Sequence, residues 1–132
     1  MTDLELMHAA ANARKFAYAP YSDFRVGAAL LTQSGRVYTG CNIENASYSP
    51  TNCAERTAFF KAVSEGEHDF AAIAIVGGQG EPLSSLCSPC GVCRQVMAEF
   101  CDGDFRVLLG TPERFESYCL KDILPLSFSL TE

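Results

Sequence analysis

Two short stretches of this chain carry residues that could do chemistry together: Cys53-Ala54-Glu55-Arg56 and Pro89-Cys90-Gly91-Val92-Cys93-Arg94. Three thiols are a soft donor set for a divalent metal. With only three protein ligands the fourth tetrahedral position stays open for water, as in a catalytic zinc site, whereas a structural site closes with four. Glu55 falls between the thiols and is the natural proton carrier for that water. Each half alone says less, since a lone Cys-x-x-Cys also suits a redox pair or half of a structural zinc ribbon. Cys87, Cys41, His8 and His68 are the rival fourth ligands. Cys87 is expected in the loop entering a helix, and the two histidines read as surface residues. Cys41, Cys101 and Cys119 lie within or beside apolar segments and read as buried thiols.

Spacing limits how these residues can be placed. Cys53 and Glu55 are two apart, and such pairs do not share a face in mid-helix. Both reach one metal only from a helix tip. Pro89 suits a helix start, which puts Cys90 and Cys93 on one side of a first turn. Three thiolates make the metal electron-rich, and two helix N-termini, each worth about half a positive charge, offset part of that. Arg56, three residues after Cys53, and Arg94, four after Cys90, are placed to hydrogen-bond a ligand sulfur from the next position along each helix surface.

The elements that must hold these residues follow from periodicity. Residues 3–17 carry an apolar stripe at Leu6, Met7, Ala10, Ala13 and Ala17, which predicts a helix. Residues 26–31 and 36–40 flank Gln33-Ser34-Gly35 as a hairpin. An ordered loop over 42–52 leads to a helix over 53–65. A strand at 70–76 is apolar throughout, as expected when both faces are covered. A loop over 79–88, a helix over 90–100, strands at 105–109 and 115–119 and one helical turn over 120–124 complete the chain. The order predicts an α/β fold, a three-layer α/β/α arrangement with a five-stranded mixed sheet, in a single domain spanning 1–132.

Composition narrows the partners. Ten basic residues against sixteen acidic ones leave a net charge of −6, which argues against nucleic acid, whose binding rests on Lys and Arg. No apolar run approaches the ~20 residues of a membrane span. The opening Met1-Thr2-Asp3-Leu4-Glu5 is acidic where a secretory signal is basic, so a cytoplasmic protein is expected. Seven cysteines, an odd number, then read as metal ligands and unpaired thiols rather than as disulfides.

At these residues the chain resembles the cytidine deaminases, in their small, all-cysteine, homotetrameric form. The likeness runs through Tyr18-Ala-Pro-Tyr-Ser22, Phe24-x-Val-Gly-Ala28, Gly40-Cys-Asn-Ile-Glu-Asn-Ala-Ser-Tyr48, Cys53-Ala-Glu-Arg56, Pro89-Cys-Gly-x-Cys-Arg-Gln95 and Leu124-Pro-x-x-Phe128. It implies zinc, one per subunit, on Cys53, Cys90 and Cys93. Glu55 is then the acid–base residue in hydrolytic deamination of cytidine and deoxycytidine. It further implies that Asn42 and Glu44 read the ribose and that Phe24 packs on the base. Ala54 offers its backbone N–H to the pyrimidine carbonyl, and Tyr48 and Phe128 complete a neighbouring subunit's pocket. The chain departs from the pattern at Leu126-Ser127, where smaller residues are frequent, and over 79–87, which is longer than in some relatives. The competing functions are deamination of another cytosine-containing small molecule, such as a nucleoside antibiotic, and a non-catalytic zinc-stabilised binding protein, which would need a fourth protein ligand.

Overall fold

The computed structural model describes residues 1–80 and 86–130. Helix α1, Asp3–Ala13, begins at a capping box: Thr2 Oγ1 accepts from Glu5 N at 3.1 Å, and Glu5 Oε1 accepts from Thr2 N at 2.8 Å. Leu6, Met7, Ala10 and Ala13 form its buried stripe. The helix stops four residues short of the expected end and passes into a 3₁₀ turn, Arg14–Phe16. The chain leaves because its backbone bonds are needed elsewhere. Tyr18 N donates to Asn42 O at 3.0 Å, and Tyr18 O accepts from Glu44 N at 2.8 Å.

Strands β1, Arg25–Thr32, and β2, Val37–Cys41, form the expected antiparallel hairpin. Helix α2, Ala54–Ser64, precedes β3, Phe70–Gly78, and helix α3, Gly91–Phe100, leads to β4, Arg106–Thr111. The chain then forms β5, Arg114–Cys119, and the short helix α4, Leu120–Ile123. The sheet order is β2-β1-β3-β4-β5; β3 and β4 are parallel and the other neighbours antiparallel. The five-stranded mixed sheet therefore stands as expected. The expected 79–88 loop lies partly outside the described residues.

Alternation along β3 shows why helices cover both faces. Ala72, Ala74 and Val76 pack with Leu6, Met7 and Ala10 of α1, while Ile73 and Ile75 face Phe59 and Met97 of α2 and α3. Small side chains admit α1 closely, and larger ones fill the opposite layer. Phe59 anchors α2 there, with its ring 5.1 Å from Phe70 in an edge-on contact and 6.1 Å from Phe105. Gly40 on β2 lets the start of α2 approach, since a Cβ at that position would lie 2.5 Å from Ala54 O and 2.6 Å from Ala58 N. No helix of the described residues is long and apolar enough to cross a membrane.

Candidate active site

Cys53 and Cys90 each occupy the residue just before a helix, with extended backbone (φ −75°, ψ 155° and φ −69°, ψ 168°) and no side-chain bond capping the helix. Their carbonyls start the helices, accepting from Thr57 N and Arg94 N, both at 3.0 Å. Thr57 Oγ1 also donates to Cys53 O at 3.1 Å and is held by Asn52 Nδ2 at 3.2 Å. The thiols are thus free of capping duty and converge. Cys53 Sγ lies 3.9 Å from Cys90 Sγ, and Cys90 Sγ 3.5 Å from Cys93 Sγ.

These distances suit a zinc ion. Bonds of about 2.3 Å at tetrahedral angles place ligand sulfurs about 3.8 Å apart. Among the described residues, Cys53, Cys90 and Cys93 are the one group of three metal-ligating side chains, with all three sulfurs within 4.8 Å of one another. Cys87, Cys41, His8 and His68 do not join it. Cys53 is the thiol drawn down, to about 5, by the hydrogen bond from Cys93 and by Arg56. Cys93 is pushed up by that same bond and by burial. Three sulfurs this close cannot all ionise without a cation among them, so the donor set fits a thiophilic dication.

Glu55, in the first turn of α2, is 5% exposed. Burial, and behind it the Cys53 charge, pushes its carboxyl up to about 7, against the opposing pull of its own N–H, the Cys93 thiol and Arg56. A carboxyl poised near neutral pH can both accept and donate a proton. Arg56 Nη2 donates to Cys53 Sγ at 3.2 Å, and Arg56 Nε is buried with no hydrogen-bond partner.

Arg94 departs from expectation. Its guanidinium donates to Pro89 O at 2.8 Å, Ser88 Oγ at 2.6 Å and Ile123 O at 2.5 Å rather than to sulfur. The loop before α3 offers oxygen acceptors nearer than any thiol, so Arg94 locks the Cys90 loop to α4. Cys41, Cys101 and Cys119 also differ, being half-buried rather than buried. Cys41 and Cys119 end strands, and Cys101 follows the last residue of α3, so neighbouring layers cover them only in part.

The expected sugar readers are already committed to the protein. Asn42 Oδ1 accepts from Val26 N at 2.9 Å while its Nδ2 donates to Phe24 O at 2.7 Å, which fixes the backbone on both sides of Arg25. One amide hydrogen and one lone pair remain. Glu44 Oε1 accepts from Tyr21 N at 2.9 Å and Ser22 N at 3.3 Å, and Oε2 accepts from Ser22 Oγ. Ser22 Oγ in turn accepts from Phe24 N at 3.0 Å. The Ser22 hydroxyl, followed by the two amides, holds the Glu44 carboxyl below the usual carboxylate range. Sequence reasoning gave Ser22 no role, although it ends the Tyr18–Ser22 motif; an N–H and a hydroxyl on one short residue beside a glycine-poor turn were the available signal.

Tyr48 shares a cavity with Tyr21, Ser22 and Glu44 of the same chain, yet it is 77% exposed and has a φ of 56°. Phe128 is 67% exposed, and its carbonyl accepts from Gln95 Nε2 at 3.0 Å. Ala54 is fully buried as the first residue of α2, and Phe24 is exposed just before β1.

The chain is similar to the cytidine deaminase of Sporosarcina psychrophila, 54% identical over 118 residues that cover 89% of this chain and 84% of the relative. It is also similar to the cytidine deaminase of Halalkalibacterium halodurans, 51% identical over 94% of this chain and 92% of the relative. The crystal structure of cytidine deaminase from Burkholderia pseudomallei superposes with a TM-score of 0.89 at 47% identity, covering 97% of this chain and all of the other. Residues 1–109 match the cytidine and deoxycytidylate deaminase zinc-binding region, and with these relatives that match places the chain in the cytidine deaminase family.

Proposed function

We propose that this protein hydrolyses the amino group of cytidine and deoxycytidine, giving uridine or deoxyuridine and ammonia, within pyrimidine salvage. The observation that carries the reading is a three-sulfur cage between two helix N-termini, with a buried carboxyl beside it. Cys53, Cys90 and Cys93 hold one zinc per subunit. Bound there, the metal would supply Lewis acidity, lowering the pKa of a coordinated water to about 7.

Glu55 does the proton work. It accepts one proton from the water that attacks C4 and passes it to N3 of the pyrimidine; it then takes the second from the new C4 hydroxyl and delivers it to the amino nitrogen, which leaves as ammonia as the C4 carbonyl forms. Its burial excludes bulk solvent, and its raised pKa lets it cycle between the two forms. Arg56 draws charge from Cys53, while Arg94 steadies the loop that presents Cys90. Phe24 packs on the base, the Ala54 N–H meets the ring carbonyl, and the remaining polar atoms of Asn42 and Glu44 bind sugar hydroxyls.

The protein acts as one catalytic domain in a cytoplasmic homotetramer, with Tyr48 and Phe128 reaching neighbouring pockets. The large exposure of both rings supports that role, because aromatic surface of this size is normally covered. An absorbance assay on cytidine, deoxycytidine, free cytosine and a cytosine-containing antibiotic tests the substrate. The two nucleosides should turn over fastest, and faster turnover of the antibiotic would favour the alternative. Native mass spectrometry should give four subunits and four zinc ions. A monomeric variant with full substrate affinity would remove the trans roles.

A further inference from the structure

Ser22 links two residues expected to touch substrate. Its N–H and hydroxyl bond Glu44, and its Oγ accepts from Phe24 N. Its carbonyl oxygen is taken up from a distant part of the chain, where Gln79 Nε2 donates to Ser22 O at 2.8 Å across 57 residues of sequence. Gln79 itself is held from behind. The Arg14 guanidinium donates from one nitrogen, Nη2, to the carbonyls on either side of it, Gly78 O at 2.9 Å and Gly80 O at 3.1 Å, and from Nε to Arg25 O at 3.0 Å. Arg14 therefore binds the start of β1, next to Phe24, and the turn after β3 with one rigid fork.

From this chain of bonds we infer that Gln79, set by Arg14, is a positioning residue for the nucleoside's sugar. It pins Ser22, and Ser22 fixes the orientation of the Glu44 carboxylate. The inference rests on the reading of Glu44 as a sugar contact. An unpinned residue 22 would let Glu44 lose its three donors in turn, and sugar hydroxyls would then have to order the loop as they bind, at a cost in affinity. Glu55 takes part in none of these hydrogen bonds, so the effect belongs in KM rather than kcat.

Gln79→Ala tests it, since the side chain lies at an exposed turn and the freed Ser22 carbonyl can bond water. Loss of one such bond should raise KM for cytidine about fivefold, with kcat unchanged. The same substitution should leave KM unaltered for a cytidine lacking its 2′- and 3′-hydroxyls, and it should cost nothing further in a Glu44→Ala background. Gln79→Glu, which turns a carboxylate toward the Ser22 carbonyl, should do at least as much harm as Gln79→Ala. An unchanged KM, an equal rise with the truncated nucleoside, or a Gln79 effect that simply adds to that of Glu44→Ala overturns the relay. If Glu44→Ala alone leaves KM for cytidine unmoved, the sugar-contact reading itself fails, which is a different result from a silent Gln79.

Discussion

Glu55 and Glu44 are the two carboxylates of the proposed site, and their surroundings push them in opposite directions. Glu55 is enclosed at the tip of α2 and is raised to about 7 by burial. Glu44 is only half-buried yet holds three donors from residues 21 and 22, so it is lowered. A carboxyl that must exchange protons needs the first environment, and one that must stay charged and still needs the second. Burial suits a side chain to proton transfer, and saturation with donors suits it to recognition.

The comparison can be broken most sharply at Glu55. Glu55→Gln should keep zinc, measured by metal analysis, and lose at least about 10²-fold in kcat; comparable turnover would erase the distinction between the two carboxylates. Arg56→Ala should come next, with about a 10- to 100-fold loss of activity or metal affinity as the bond to Cys53 disappears. Unchanged turnover and metal content in that variant would remove the role given to Arg56. Gly40→Ala should force α2 away from β2, lowering stability by about 1–3 kcal/mol and weakening zinc binding while leaving the 21–24 loop ordered. Thermal melts and metal titration would read the first two effects, and amide exchange of residues 21–24 the third.

The smallest effect is an acid one, confined to Glu44. Its folded pKa lies below the ordinary glutamate value of about 4.3, so its contribution is fully present above that value and is lost as pH falls through the lower, folded pKa. Exchange of the Tyr21 and Ser22 amides should therefore quicken in strong acid before that of the α2 amides. Simultaneous loosening would mean that the two regions are not independent.

The same contrast explains what could be read from the sequence. Cys53, Glu55, Cys90 and Cys93 were legible because their chemistry depends on residue type and on spacing at a helix tip. The five strands were legible because the sheet alternates or runs apolar according to which faces are covered. The turn of α1 at Ala13 was not, since long-range pairing of Tyr18 with residues 42–44 outweighed a continuing helical stripe. Arg94 was misread because spacing along a helix says where a guanidinium can reach but not which acceptor is closest. The links through Ser22 and Gln79 were not legible because they run through the backbone N–H and carbonyl of Ser22, which carry no mark in the sequence.

The sulfur cage has one more consequence, for how the chain holds together. A whole strand, β3, separates Cys53 from Cys90 along the chain, yet their sulfurs are 3.9 Å apart. An open chain brings such donors together only against the entropy of closing a long loop. A cation that grips the completed cage and not the open chain therefore acts as a clasp across the two helix tips, favouring the folded form by mass action. Chelation should then lower the melting temperature along with turnover, tying the durability of the protein to the supply of the ion it uses.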